Sequence, residues 1–277
     1  MSTAIGRKHA SRNVWWRRAR RISQAAFLLL FLYLVLWTRQ GAERLPAYSV
    51  FFRLDPLAGL ASMLAGRTWI AGMALGLVTI GLTLVAGRAW CAWICPLGTL
   101  LDLVPSRRVG ASQDLGTTWR RIKYGILALI VAGGLAGSIT LMVLDPIALL
   151  TRAIASFILP LADALIHAVE MALLQVEPLQ DAVYTFDAWL RSAVLPAQPK
   201  FVAANTAVGV LLVLVLAANA IRRRFWCRYI CPLGGLLGLI SRVSLFRHRV
   251  DQEACVRCGR CASACPTGAI LPDSDYK

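Results

Sequence analysis

The sequence predicts an all-α membrane protein: four transmembrane helices arranged as a tandem repeat, followed by a small cysteine-rich C-terminal segment. Three observations carry that reading. Hydrophobic residues make up 58% of the 277-residue chain and charged residues 16%, whereas a soluble domain sits nearer half and a quarter. Four apolar runs, 22–37, 69–87, 124–144 and 201–221, are each about long enough to cross the ~30 Å hydrocarbon core. A seventeen-residue motif occurs twice, with eleven positions identical between its copies.

The chain opens with a basic cytoplasmic segment, 1–21, which holds seven Lys/Arg and no acid. The run 22–37 that follows is somewhat short, but Arg20, Arg21 and Arg39 can snorkel to the two surfaces. No small-x-small cleavage site follows Trp37, so the run reads as a retained helix rather than a signal peptide. With four spans, the two ends and the loop 88–123 share one side and carry 23 of the 30 Lys/Arg. The positive-inside rule then places both termini in the cytoplasm of a bacterial inner membrane. It also accounts for the net charge of +16 without nucleic acid; the expected surroundings are lipid.

Residues 145–200 form the long loop on the other side. Ile154–Val176 is apolar, yet Arg152, Ser156, Asp163, His167 and Glu170 fall near one helical line, with Ile154, Phe157, Leu161 and Leu165 opposite. That pattern predicts an amphipathic helix lying on the membrane surface, the polar residues forming its wet side. The expected division is therefore 1–21, a first repeat unit with the third span over 22–144, the loop 145–200, the fourth span with the second motif over 201–240, and a cluster-binding segment over 241–277.

The repeat aligns Arg88–Val104 with Arg224–Ile240. Each copy contains C-x-x-x-C-P-L-G: Cys91, Cys95 and Pro96 in the first, Cys227, Cys231 and Pro232 in the second. Positions i and i+4 of a helix put both sulfurs on one face, and the proline pushes the second cysteine out of helical geometry. An Asp-Pro pair precedes each copy, Asp55-Pro56 and Asp145-Pro146, and is expected to form an outer turn between spans. Buried small hydrophobes or palmitoylation sites are the plainer readings of such cysteines. Recurrence at one membrane depth favours a joint role.

The C-terminal segment carries the most specific signal. Cys255, Cys258, Cys261, Cys265 and Pro266 match the C-x2-C-x2-C-x3-C-P run of bacterial [4Fe–4S] ferredoxins. Gly259 allows a turn, and Ala262, Ser263 and Ala264 are small enough to wrap a cluster. Zinc normally takes two separated pairs with a longer spacer. The eight cysteines thus form two sets of four, enough for one cluster in the run and a second on Cys91, Cys95, Cys227 and Cys231. A reducing cytoplasm disfavours disulfides.

The paired C-x-x-x-C-P-L-G motifs, the four apolar runs and the ferredoxin run together resemble the NapH/MauN/NosR group of membrane ferredoxin-type proteins, and NapH-type quinol dehydrogenase subunits in particular. The resemblance extends from the basic, Trp-rich N-terminus to Pro266. It implies electron transfer from membrane quinol, with a soluble iron–sulfur partner, toward a periplasmic redox enzyme. It also implies that Cys255, Cys258, Cys261 and Cys265 are cluster ligands; no catalytic residue is expected. Two features depart from the group: one ferredoxin run where two are usual, and a longer 145–200 loop.

The first functional reading is a quinol-linked electron carrier, with Asp163, His167 and Glu170 as proton acceptors if they are more than a wet face. The rival is a membrane ferredoxin-type assembly or maturation factor for a metalloenzyme. A non-redox scaffold is the third. No C-x-x-C-H haem motif is present to carry electrons across the bilayer.

Overall fold

The structure, a computed structural model, describes residues 2–38, 49–104, 116–175, 177–193, 203–246, 250, 251, 253, 255–259, 261, 265 and 270. Arg39, Ala262, Ser263, Ala264 and Pro266, used above, lie outside them. The described residues are helical and contain no strand.

Helix α1, Ser2–Thr38, runs about 55 Å at 1.5 Å per residue. It is followed by α2 (Val50–Arg53), α3 (Pro56–Gly66), a 3₁₀ turn Ala71–Leu75, α4 (Gly76–Ala86), α5 (Ala89–Trp93) and α6 (Pro96–Leu103). The second half contains α7 (Gly116–Leu135), a 3₁₀ turn Thr140–Leu144, α8 (Pro146–Ala153), a π-helical turn Ile154–Ile158, α9 (Leu159–Leu173), α10 (Gln180–Ala193), α11 (Ala203–Ile221), α12 (Phe225–Tyr229) and α13 (Pro232–Ile240). The order is the same in both halves: α1, α3, α4, α5 and α6 correspond to α7, α8, α11, α12 and α13.

Among the described residues, two helices are long and apolar enough to cross a membrane, Trp15–Leu36 within α1 and Pro146–Leu173. The expected four-span layout is not reproduced. The run 69–87 divides into a 3₁₀ turn and α4. The run 124–144 breaks at Leu135, where Ser138 N–H bonds Gly133 O, Gly137 N–H bonds Gly134 O, and Gly137 takes φ 80°. This is the reciprocal pair of bonds that ends a helix on a left-handed glycine. The chain then returns through the 3₁₀ turn to Asp145.

The surface helix expected over 154–176 is also corrected. α8, the π turn and α9 form one apolar rod from Pro146 to Leu173. Two of the polar residues on it do not meet water: Asp163 and Glu170 are 5% and 7% exposed, while Arg152 and His167 stay exposed. α10 folds back along α9 and Arg191 reaches Asp163 at 3.4 Å, while His167 Nδ1 lies 3.8 Å from Glu170 Oε2. The π turn widens the rod where it meets α11, and the Phe157 ring fills the space a Cβ on Gly209 would need.

The core lies between the two halves and is built from repeat-equivalent side chains. Leu97 and Leu233, Leu101 and Leu237, Leu57 and Ile147, and Trp90 and Trp226 are all buried there. Phe31 of α1 meets Phe51 of α2 edge-on at 5.2 Å, which holds the first rod against the centre. The C-terminal segment is tied down by Leu245 and Phe246, whose N–H groups donate to Leu84 O and Val85 O. These are last-turn carbonyls of α4, which no further helical turn satisfies.

Candidate metal centre

Each C-x-x-x-C-P motif builds the same local structure. α5 and α12 are single turns ended by the following proline. Cys95 and Cys231, in extended backbone at φ −60° and −56°, then cap α6 and α13, which begin at Pro96 and Pro232. The thiol of Cys231 accepts from Gly234 N–H at 3.2 Å, whereas Cys95 caps α6 without a side-chain hydrogen bond. The glycine of each C-P-L-G is a close approach. A Cβ at Gly98 would sit 3.0 Å from Cys91 O, and one at Gly234 3.2 Å from Cys227 O.

The halves bring Cys91, Cys95, Cys227 and Cys231 to the wall of one small cavity of about 20 Å³, closed by Arg88, Pro146, Leu233 and Gly234. Cys95 and Cys231 are buried and the other two half-buried. Among the described residues no three Cys, His, Asp or Glu side chains are grouped tightly enough to hold a single metal ion. A cluster is larger than an ion and spreads its thiolates further apart. Burial pushes all four thiols up, Cys227 to about 11, so they are neutral until a metal displaces their protons.

The surroundings favour an anion. Arg88, Arg224 and Lys123 all act on these thiols, and burial together with Arg88 and Arg120 lowers Lys123 to about 8. The N-terminal turns of α6, α8 and α13 open onto the same cavity, adding their positive ends. The two arginines are repeat equivalents with different partners. Arg224, fully buried, bonds both oxygens of Asp102 at 2.8 and 3.1 Å and donates to Cys91 O at 2.7 Å. At the position equivalent to Asp102 the second half has Gly238, and Arg88 lies against it with its Nε buried and unpartnered. Four thiols, no imidazole or carboxylate on the wall, and the nearby cations fit a polyanionic iron–sulfur cluster.

Asp102 is the hub on the α1 side. It also accepts from Arg20, Arg223 and Gln24. Burial raises its pKa, but Arg224 and the other donors outweigh that and hold it at about 2.

In the C-terminal run, Gly259 takes φ 69° and Arg257 φ 51°, so the turn expected at Gly259 is present. Cys258 is exposed, and Cys255, Cys261 and Cys265 are half-buried. The run packs on the repeat: Arg228 Nη2 donates to Cys265 O at 3.4 Å, and Arg228 directly follows Cys227. The Asp-Pro pairs do not form outer turns. Asp55 and Asp145 are completely buried, and Pro146 lines the thiol cavity. Reading the repeat for its cysteines passed over Arg88 and Arg224, although both open the repeated motif.

One cysteine run and one cysteine-lined cavity are features that ferredoxin-type proteins would share. Comparison with known proteins agrees. A 4Fe-4S binding domain profile matches residues 68–126 and 204–251, the two halves that carry Cys91/Cys95 and Cys227/Cys231. A second 4Fe-4S binding domain profile matches 248–271, the C-terminal run. These domains indicate 4Fe-4S cluster binding.

The chain is a homologue of the NapH and MauN ferredoxin-type proteins. It is 26% identical to the methylamine utilization ferredoxin-type protein MauN of Paracoccus denitrificans, over 97% of this chain and 81% of that one. It is also 26% identical to the ferredoxin-type protein NapH of Haemophilus influenzae, over 95% of this chain and 78% of that one. The putative electron transport protein YccM of Escherichia coli is 27% identical over 76% of this chain, which spans about half, 52%, of that longer protein. No solved structure matches. Domains and relatives together support iron–sulfur electron transfer.

Proposed function

We propose that this protein is a multi-pass inner-membrane electron carrier with two iron–sulfur clusters in series. Cys255, Cys258, Cys261 and Cys265 would hold one, and Cys91, Cys95, Cys227 and Cys231 the other; each supplies a one-electron couple when bound. The observation that carries this reading is the Arg228–Cys265 bond, which sets the ferredoxin run one residue from a wall of the thiol cavity. The charge distribution supports cytoplasmic termini, with the run at the cytoplasmic face.

The quinol pool is the proposed electron source and a periplasmic or respiratory redox enzyme the proposed partner, by analogy with the group this chain resembles. One cavity suits a quinol. It has about 410 Å³ between α9 and α10, is lined by Leu165, Val169, Leu173, Val183 and Phe186, and contains Glu170. Glu170 Oε1 is buried without a partner, so it is placed to accept a proton. It stands 24 residues beyond Pro146, about 36 Å along the rod, so electrons from a quinol in this cavity need a redox centre of the partner to reach the thiols.

The test is iron and sulfide content with EPR of the anaerobically reduced chain, followed by addition of a membrane quinol. About eight irons and quinol-dependent reduction, slowed in Glu170→Gln, are expected. Four irons would remove the second cluster. Clusters that quinol never reduces would remove the quinol link and favour the maturation-factor reading.

A further inference from the structure

The arginines that open the two copies of the motif end in different places. Arg224 commits its fork to Asp102: Nε donates to one carboxylate oxygen at 3.1 Å and Nη2 to the other at 2.8 Å, while Nη1 donates to Cys91 O. Arg224 does not line the thiol cavity; Arg88 does. The difference traces to one repeat position, Asp102 on α6 and Gly238 on α13. Arg88 presents Gly238 with the same two nitrogens, since a Cβ there would sit 2.5 Å from Nη2 and 3.4 Å from Nε. Glycine offers no oxygen to receive them. The guanidinium therefore rests against α13, on the wall that Cys91, Cys95, Cys227 and Cys231 share.

Arg88 is half-buried as a whole, but its Nε is buried and has no acceptor, and a buried donor left without an acceptor is destabilising. A second cation lies one turn earlier on the same face of α13. Lys123, 4% exposed, places its Cγ 3.6 Å from the Cβ position of Gly235 and its ammonium 5.2 Å from the centre of the Tyr124 ring. Among the described residues neither Arg88 nor Lys123 pairs with a carboxylate. The α6 side of the centre thus has its arginine neutralised, and the α13 side has two cations and no counter-ion.

We propose that Arg88 is the hydrogen-bond donor and counter-charge of the centre on the repeat cysteines, and that Gly238 is what keeps it free for that role. This rests on those cysteines holding a cluster. A cluster on four thiolates is anionic when bound, and donors and positive charge at its sulfurs raise its potential. The repeat thereby divides one ancestral position between two tasks: Arg224 ties α6 to α12, and Arg88 tunes the centre.

The test uses the full chain, anaerobic and in detergent, labelled with nitrogen-15 in arginine alone. Pulsed EPR of the reduced second centre should show an arginine nitrogen coupling in the parent chain. Arg88→Lys keeps the charge but has no guanidinium, and should lose the coupling. Gly238→Asp supplies the carboxylate that Asp102 supplies to Arg224, and should lose it too. Potentiometric EPR should place the second midpoint lower in Gly238→Asp than in Gly238→Ala, which adds bulk without charge, and leave the C-terminal midpoint unmoved. About four irons per parent chain would remove the second cluster and this role with it. With about eight irons, the cluster reading stands and three results each overturn the role of Arg88: no arginine coupling in the parent, a coupling that survives Arg88→Lys, or equal midpoints in the two Gly238 variants. If Gly238→Asp does not fold, Arg88→Lys decides by the coupling alone.

Discussion

Replacing Asp102 with alanine should cost about 3–5 kcal/mol of stability. Asp102 binds Arg224 through both oxygens, Arg223 at 3.1 Å, Arg20 at 2.8 Å and Gln24 at 3.0 Å. These contacts differ in weight. The Arg223 side chain is 46% exposed and that of Arg20 22%, and pairs in contact with water contribute only ~0–1 kcal/mol. Arg224 is 0% exposed, and Asp102→Ala leaves it a buried cation holding only the Cys91 carbonyl. Stranding one member of a buried pair costs ~3–5 kcal/mol. In urea unfolding of the metal-free chain in detergent, the midpoint should fall by at least about 1 M for a slope of ~1–3 kcal/mol/M. Asp102→Ala/Arg224→Ala should lose less than the sum of the single variants, because the stranded charge is gone. A single-variant loss below ~1 kcal/mol, or strict additivity, refutes the reasoning.

Four further outcomes follow from the same geometry. Asp102 is held at about 2 in the folded chain, against 3.8 for a free carboxyl; its contribution is complete above the higher value and lost as pH falls through the lower, so acid titration of the metal-free chain should show a stability loss there that Asp102→Asn lacks. Cys231→Ser should bring iron from about eight to about four per chain while leaving the ferredoxin-type EPR signal. Arg88→Gln removes a half-buried positive charge beside the thiols, so the midpoint of the second centre should drop in a potentiometric titration while that of the C-terminal run stays. Gly98→Ala drives a methyl to 3.0 Å from the Cys91 carbonyl and should cost ~1–3 kcal/mol in the same urea assay.

Much of the centre was legible from spacing. The C-terminal run and the duplicated C-x-x-x-C-P could be read residue by residue, because ligand geometry and proline's missing N–H are local constraints. Gly259 in the left-handed region is one such local expectation met. The helix breaks were harder. Apolar runs 69–87 and 124–144 satisfy a length criterion, but Gly137 and the 3₁₀ turns interrupt them, and hydropathy does not register a glycine as a stop. The face of Asp163 and Glu170 misled for another reason. Periodicity shows that polar residues share a side; it does not say whether that side meets water or α10.

The sequence alone determined that this is an apolar, helical chain with two sets of four cysteines, and that its two halves are copies. Tertiary structure decided what the copies do to each other. It drew Cys91, Cys95, Cys227 and Cys231 around one cavity, neutralised Arg224 through Asp102 while leaving Arg88 against Gly238, and moved two Asp-Pro pairs from an expected surface to the buried centre. The physical reason is that a repeat encodes each half's local turns. Which groups are desolvated together depends on how the halves pack, and desolvation is what gives a buried charge or carboxyl its chemistry.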